Sequence, residues 1–445
     1  MTIRMICFVF LLLPFSVSAQ SDHYRLIEAY IKAQVDVNRF SGNVLVKEKG
    51  KVIYEKCFGK SDMEMGTALN PGSIFQVGSV TKQFTAAGIL QLEEQGRLSV
   101  NDRLSRFFPD YPKGDSITIH MLLNHTSGIF DYTSIPDFGT WMTLPLKGDS
   151  LVKRFRDLPF DFPVGGHWRY SNSGYFLLGM IIEKITGMSW RDYTYQNVIG
   201  KARLKHTDVN RWDSLMIGRA KGYEKTSSGS VNAPYISMEI PFSAGAIVST
   251  TQDLAQWTDA LYSGQVVGQG SLKKMTTPYL SKYGYALLID STGSHRRVWH
   301  NGGIPGFESM LAHYPDDDLT VVVISNNGSG STKIGSAIGS IMFNEKVDIP
   351  SAKKTAQLSP SQMERFTGTY QLKGLSEIRI IYISDGKLFI RSPQGEGREM
   401  RAESSSRIFL IADPDLNIDY SFDAQGKLVS VIANQSGSRV ELIKL

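Results

Sequence analysis

The stretch from Ser79 to Gln95 restricts the fold of this chain more than any other. Its spacing predicts a helix, yet Phe84, Ala86, Ala87, Gly88, Ile89 and Leu90 leave that helix almost no polar face. Other elements must therefore close round it on most sides, with Gly96 as its natural stop. Burying one helix so thoroughly takes a large domain, and 445 residues, 42% of them hydrophobic, suffice for that domain and a smaller one.

The surroundings can be read in outline. Gly42 to Gly59 alternates short apolar runs about Lys49-Gly50-Lys51, the pattern of an opening hairpin. Helical signals return at Ile117 to Leu123, Gly174 to Thr186 and Thr251 to Tyr262, the last with Ser and Thr side chains suited to capping orphan amides. Tyr283 to Ile289, Arg297 to His300, Ser309 to Tyr314 and Leu319 to Ser325 read as successive strands. Pro315-Asp316-Asp317-Asp318 between the last two is read as a solvated turn in preference to a calcium site. Lys346 to Gln362, with two prolines and little apolar content, reads as a linker. Beyond it, Ile378 to Ile383, Lys387 to Arg391, Ile408 to Ala412 and Leu428 to Ala433 predict a small antiparallel barrel or sandwich without chemistry of its own.

The chemistry starts in the first turn of the buried helix, Ser79-Val80-Thr81-Lys82. Ser-x-x-Lys sets a hydroxyl and an amine one turn apart on one helix face, so the lysine can take the serine's proton. The spacing occurs five times, at Ser79, Ser150, Ser271, Ser351 and Ser384, and context separates them. Only Ser79 opens a buried helix, where free amides favour developing negative charge and desolvation weakens the lysine's hold on its proton. Capping would account for Ser79 but not for Lys82, because an unpaired buried ammonium is costly. Two further segments can complete a pocket. Trp168-Arg169-Tyr170-Ser171-Asn172-Ser173-Gly174, a polar turn before an apolar helix, offers a phenol for proton relay and an amide for a substrate carbonyl. Val298-Trp299-His300-Asn301-Gly302-Gly303 is a strand running into glycines, where a substrate backbone can lie close; a plain glycine turn is the competing reading.

With these segments in place the chain resembles the serine β-lactamase and D-alanyl-D-alanine carboxypeptidase-like hydrolases, in their class C β-lactamase branch, over roughly Ser41 to Asn344. The matching elements stand in the family's order: Ser79-Val80-Thr81-Lys82, Tyr170-Ser171-Asn172 and His300-Asn301-Gly302. Leu123-Asn124-His125-Thr126-Ser127-Gly128-Ile129 and Ser243-Ala244-Gly245 to Ser249-Thr250 resemble its connecting segments. The resemblance implies an α/β (α+β) domain of the β-lactamase/transpeptidase type, an antiparallel sheet flanked by helices, at 20–345. A signal peptide at 1–19, a linker at 346–362 and a small all-β barrel-like domain at 363–445 complete the expected organisation. It implies Ser79 as nucleophile, Lys82 as its base, Tyr170 as proton shuttle and Asn172 as a substrate-carbonyl ligand. Gly302 and Gly303 would border the substrate, with the amides of Ser79 and Gly303 forming the oxyanion hole. Many β-lactamases carry lysine where this chain has His300, which argues against β-lactams as preferred substrates.

Other functions fit less well. Arg4, an apolar run from Ile6 to Ser16 and Val17-Ser18-Ala19 read as a cleavable secretory signal, and no later segment offers about twenty uninterrupted apolar residues for a membrane span. Export, periplasmic or secreted, is therefore expected. Cys7 leaves with the signal, so Cys57 has no disulfide partner and is read as a small hydrophobe on a strand. A net charge of +5 without clustering gives no nucleic-acid footprint. His120 and His125 lack the spacing and companions of a metal site, and neither metal nor cofactor is expected. The expected activity is acyl transfer to water through acyl-Ser79 from an ester or a D-amino-acid peptide such as a cell-wall peptide. Peptidase and esterase remain open, and a β-lactamase or a non-hydrolysing penicillin-binding sensor are the alternatives.

Overall fold

The computed structural model describes residues 16–445 apart from 212, 214, 227–228, 352, 375–376, 394, 412–415 and 436–437, so the expected leader lies largely outside the described residues. Residues 319–325 show why the main domain is layered. Leu-Thr-Val-Val-Val-Ile-Ser has no polar face, and all seven residues are buried. A strand of that kind has to be covered on both sides. It lies inside a six-stranded antiparallel sheet formed by β1 (Gly42–Glu48), β2 (Lys51–Phe58), β3 (Leu288–Thr292), β4 (His295–Ile304), β5 (Phe307–Tyr314) and β6 (Leu319–Ser325), in the order β3-β4-β5-β6-β1-β2.

On one face, Val44, Val46, Val321 and Val323 meet Ile27, Tyr30 and Ile31 of α1 (Ser16–Asn38) and Ile334, Ile338 and Ile341 of a helix spanning Ser331–Met342. On the other face, Leu45, Val322 and Ile324 join the large core around α2 (Thr81–Glu94), α3 (Asn172–Thr186) and α4 (Thr251–Tyr262). Residues Thr81 to Leu92 of α2 are all buried, as its composition requires, and Phe84 stacks on Trp257 of α4 at 4.0 Å between ring centroids. Thr250 caps α4 by accepting from the Asp253 amide.

Several boundaries differ from expectation. The helix predicted from Ser79 opens as a 3-10 turn at Gly78–Val80 and becomes α-helical at Thr81, which leaves Ser79 on the turn with its amide free of the helical ladder. The helix predicted from Ile117 starts at Ile119, because Thr118 accepts from the Met121 amide and ends the preceding extended segment. Tyr283 to Leu287 is a turn, with Ala286 at φ +59° and the Gly284 amide donating to Leu287, and the strand runs from Leu288 to Thr292. β4 continues through Gly302 and Gly303 to Ile304, so these glycines lie within a strand and the glycine-turn alternative is removed. Asp317 in the acidic turn holds Nδ1 of His295 at 2.9 Å.

From residue 368 onward the chain closes an eight-stranded antiparallel barrel: β7 (Gly368–Leu372), β8 (Ile378–Ser384), β9 (Lys387–Arg391), β10 (Arg398–Ser404), β11 (Arg407–Leu410), β12 (Asn417–Phe422), β13 (Leu428–Gln435) and β14 (Ser438–Lys444). Pairing of Tyr370 with Lys444 closes it. Half of these strands escaped the sequence reading, because on Arg398–Ser404 and Ser438–Lys444 charged outward residues interrupt every apolar run. Ala412, expected to end one strand, lies outside the described residues. The expected linker divides: Val347 packs on the main domain, whereas Lys353 pairs with Glu403 and the Ala356 amide donates to Ala402 of the barrel. Its end, Ser359 to Gln362, forms a capping box that starts a short helix at Pro360–Glu364.

Candidate active site

Two glycine contacts bring the turn that carries Ser79 against the sheet. Gly78 has φ +51°, and a Cβ placed there would stand 2.8 Å from the Gly303 amide nitrogen. A Cβ on Gly302 would meet the Val77 carbonyl at 1.9 Å and the Ser79 amide nitrogen at 2.9 Å. Only glycine allows β4 to press so closely on residues 77–79, and the Ser309 hydroxyl fastens the contact by donating to the Val77 carbonyl at 2.7 Å. Gly302 is thus a buried packing glycine and not a wall of the pocket; exposed Gly303 borders the cavity.

Lys82 lies one turn into α2, fully buried, with its Nζ 3.0 Å from Ser79 Oγ, 2.8 Å from Asn172 Oδ1 and 2.8 Å from the Ala244 carbonyl oxygen. Among the described residues no carboxylate touches it directly. Burial lowers its pKa to about 7, with the charge of Asp131 opposing. The geometry then sets the direction of proton flow. Asn172 Oδ1 and the Ala244 carbonyl can only accept, so they take both N–H bonds of the neutral amine, and its lone pair is left facing the Ser79 hydroxyl.

Asn172 is the first residue of α3 and not part of the loop before it. Its oxygen is committed to Lys82, and its Nδ2 lies 3.3 Å from Asp131 Oδ2 and 3.4 Å from Thr133 Oγ1. The structure therefore gives Asn172 a lysine-positioning contact where a substrate-carbonyl ligand was expected. Asp131, not anticipated from sequence, also accepts from the Asn172 amide at 3.1 Å and so caps α3. It acts 41 residues from the helix it caps, so no local pattern could reveal it.

Tyr170 sits beside the pair, its ring centroid 4.7 Å from Lys82 Nζ. Its hydroxyl is buried and makes no hydrogen bond of ordinary geometry among the described residues. Burial pushes its pKa upward, with Ser79 beside it acting in the opposite direction, so it stays a neutral phenol. His125 packs on Tyr170 at 4.4 Å between centroids and accepts from the Ser171 amide, a supporting role. His120 is held by Tyr285 and Asn124. Both histidines, with pKa values lowered chiefly by burial, are structural, and among the described residues no group of three His, Cys, Asp or Glu could hold a metal. Burial raises the half-buried Cys57 thiol to about 11, which leaves it protonated and unreactive.

His300 is 1% exposed, its Nε2 2.8 Å from the Tyr283 hydroxyl and its Nδ1 on the Asn301 carbonyl. A carbonyl only accepts, so the proton is on Nδ1 and Tyr283 donates to Nε2. Burial, with the Lys82 charge adding to it, lowers its pKa to about 3, and the ring is neutral. Ser79, Trp168, Tyr170, Tyr283, Leu288, His300, Asn301 and Gly303 enclose a cavity of about 360 Å³. Tyr283 was missed as a pocket residue because the turn at 283–287 was read as strand, and Leu288, the first residue of β3, has no chemical feature that marks it in sequence.

A serine on a tight turn before a buried helix, a desolvated lysine one turn on and a phenol beside them form an arrangement chemically able to support serine acyl transfer, on a mixed α and β scaffold. The Beta-lactamase family profile matches residues 27–335, and the chain belongs to that family as a serine hydrolase. It is similar to penicillin-binding protein 4* of Bacillus subtilis strain 168, 28% identical over 436 residues, covering 92% of this chain and 95% of that one. It is also similar to teichoic acid D-alanine hydrolase of Staphylococcus aureus strain MRSA252, 25% identical over 74% of this chain and 80% of the other. Among solved structures, a penicillin-binding protein from Bacillus halodurans superposes with a TM-score of 0.64 at 27% identity, covering 70% of this chain and 98% of that one.

Proposed function

We propose that the protein is an exported hydrolase of esters or amides of D-amino acids, working through an acyl-Ser79 intermediate. The observation that carries this reading is the wiring of Lys82, whose two obligatory acceptors leave its lone pair for Ser79. Ser79 Oγ bonds to the substrate carbonyl carbon as its proton passes to Lys82 Nζ. The amides of Ser79 and Gly303 receive the oxyanion, and the proton reaches the leaving alkoxide or amine through Tyr170. Water then releases the acid and restores Ser79. The D-amino-acid class draws on the S. aureus relative, whose name gives D-alanine on teichoic acid as its substrate. Export rests on the signal-like residues 1–19.

The cavity walls narrow the choice of substrate. Among the described lining residues none is cationic, and His300, where a lysine would hold a carboxylate, is neutral. Such a pocket favours esters and uncharged D-peptides over penicillins. Intact-mass analysis with a fluorophosphonate, a penicillin, a D-alanyl ester and a D-alanyl-D-alanine peptide tests the reading. One phosphonyl adduct on the native protein and none on Ser79→Ala is expected, with turnover of the ester. Labelling at another serine, or a penicillin turned over faster than every ester and peptide, overturns it.

A further inference from the structure

The barrel is filled at one end and hollow at the other. At the filled end, Tyr370 and Tyr420 donate to the Phe366 carbonyl at 2.9 and 3.1 Å, Phe366 packs on Tyr420 at 4.8 Å between centroids, and Met363 adds to the plug. An eight-stranded barrel is just wide enough either to fill itself with side chains or to enclose one small ligand. This barrel does both in sequence along its axis. Beyond the plug lies a cavity of about 640 Å³, larger than the one at Ser79 and within the range of small-molecule sites.

The cavity is apolar in its depth, where Ile390, Ile418 and Leu442 are buried. Among the described residues its mouth carries three guanidinium groups, Arg379, Arg391 and Arg398, and one lining carboxylate, Glu396. Arg379 shares the inward register of Ile381, and Arg398 that of Met400, so cations stand where a barrel interior would ordinarily continue with apolar residues. Arg379 is shared with Glu377 at 2.7 Å; among the described residues, exposed Arg398 has no ion-pair partner, and Arg391 donates to backbone carbonyls and lies over the Tyr382 ring at 5.8 Å. Charge placed inside the rim serves no packing purpose. It suits an anionic head above an apolar tail, since a guanidinium fork binds an oxyacid in bidentate fashion.

We infer that the open end of the C-terminal barrel binds a single-chain amphiphile with an anionic oxyacid head, its alkyl chain in the barrel and its carboxylate or phosphate on Arg379, Arg391 and Arg398. The hydrolase domain takes no part in this binding. Titration calorimetry on the full chain with dodecanoate, dodecyl phosphate and dodecan-1-ol, below micelle formation, tests it. One saturable site for at least one anion is expected, with the alcohol at least tenfold weaker; the tighter anion identifies the head group. Arg398→Glu, on the exposed rim, should weaken the anion tenfold or more, and Ala433→Trp should fill the cavity and abolish binding. Circular dichroism and fluorophosphonate labelling of Ser79 report that each variant is folded. Prior phosphonylation of Ser79 should change nothing. No saturable binding of either anion, equal binding of the alcohol, indifference to Arg398→Glu, or loss of binding after phosphonylation each overturns the inference.

Discussion

The same four-residue spacing, Ser-x-x-Lys, occurs in the hydrolase domain at Ser79 and Lys82 and in the barrel at Ser384 and Lys387, with opposite consequences. In the barrel, the two residues face each other across the tight turn between β8 and β9, and Lys387 reaches Glu399 at 3.3 Å with its side chain 58% exposed. Water and a carboxylate keep that ammonium charged. Lys82 is buried and sees only neutral acceptors, and its proton is loosened to about pH 7. Chemistry therefore follows from what encloses the lysine, and the three-residue interval is only a precondition. Ser150 with Lys153, on an exposed helix face, and Ser271 with Lys274, which pairs with Glu93, fall on the barrel's side of this divide.

The largest effect that can test the contrast is loss of the nucleophile. Ser79→Ala should lower turnover by a factor on the order of 10⁴ or more, whereas Ser384→Ala should leave it unchanged in the same steady-state assay. Next in size, Lys82→Ala and Tyr170→Phe should each cost a factor on the order of 10² to 10⁴. Lys387→Ala should change neither turnover nor, beyond about 0.5 kcal/mol, stability in urea unfolding. Comparable losses from Lys82→Ala and Lys387→Ala would erase the distinction.

Gly302→Ala sharpens the geometric half of the comparison. Its Cβ would strike the Val77 carbonyl, so β4 and the Ser79 turn must separate and the paired amides lose their alignment. A loss of about 10² to 10³ in kcat is expected, the worth of one oxyanion donor. Retained kcat in a folded Gly302→Ala protein would show that the amide of Gly303 is not used. The pH profile tests the electrostatic half. His300 and His125 are held neutral, so Lys82 is the group that titrates near neutrality, and it must be unprotonated to act. Accordingly kcat/KM should rise about tenfold per pH unit below an apparent pKa of about 7 and then level off. A flat profile between pH 5 and 8 would assign the base elsewhere.

The parts of this site that were legible in sequence are those whose reason is local. A helix with almost no polar face must be buried whatever surrounds it, so Ser79 and Lys82 stood out before any fold was known. Residues 319–325 likewise read as a strand from their composition alone. What stayed hidden depends on partners distant in sequence. Asp131 matters because it meets Asn172, and the Ala244 carbonyl because it meets Lys82 162 residues away. The barrel was half legible for a related reason: in β8 and β9 isoleucine and leucine mark the strands, but β10 and β14 owe their place to closure of the barrel.

The smallest effect concerns position 300, where the neutral imidazole separates this pocket from one built around a cation. With its pKa lowered to about 3, His300 carries no charge at pH 7. His300→Lys would introduce an ammonium close enough to Lys82 to disfavour a second proton there, as the two native groups already influence each other. The rising limb of the pH profile should therefore move toward acid. The same charge would attract a substrate carboxylate. Preference should shift from uncharged esters toward carboxylate-bearing donors by only about two- to fivefold, because the pocket is not shaped around an ammonium. Tyr283, which now donates to Nε2, would lose its acceptor, so His300→Leu, which offers neither acceptor nor charge, serves as the neutral control for that loss. A shift in both profile and preference for His300→Lys, absent from His300→Leu, assigns the effect to charge. Equal behaviour of the two variants would show that position 300 shapes the pocket only by packing.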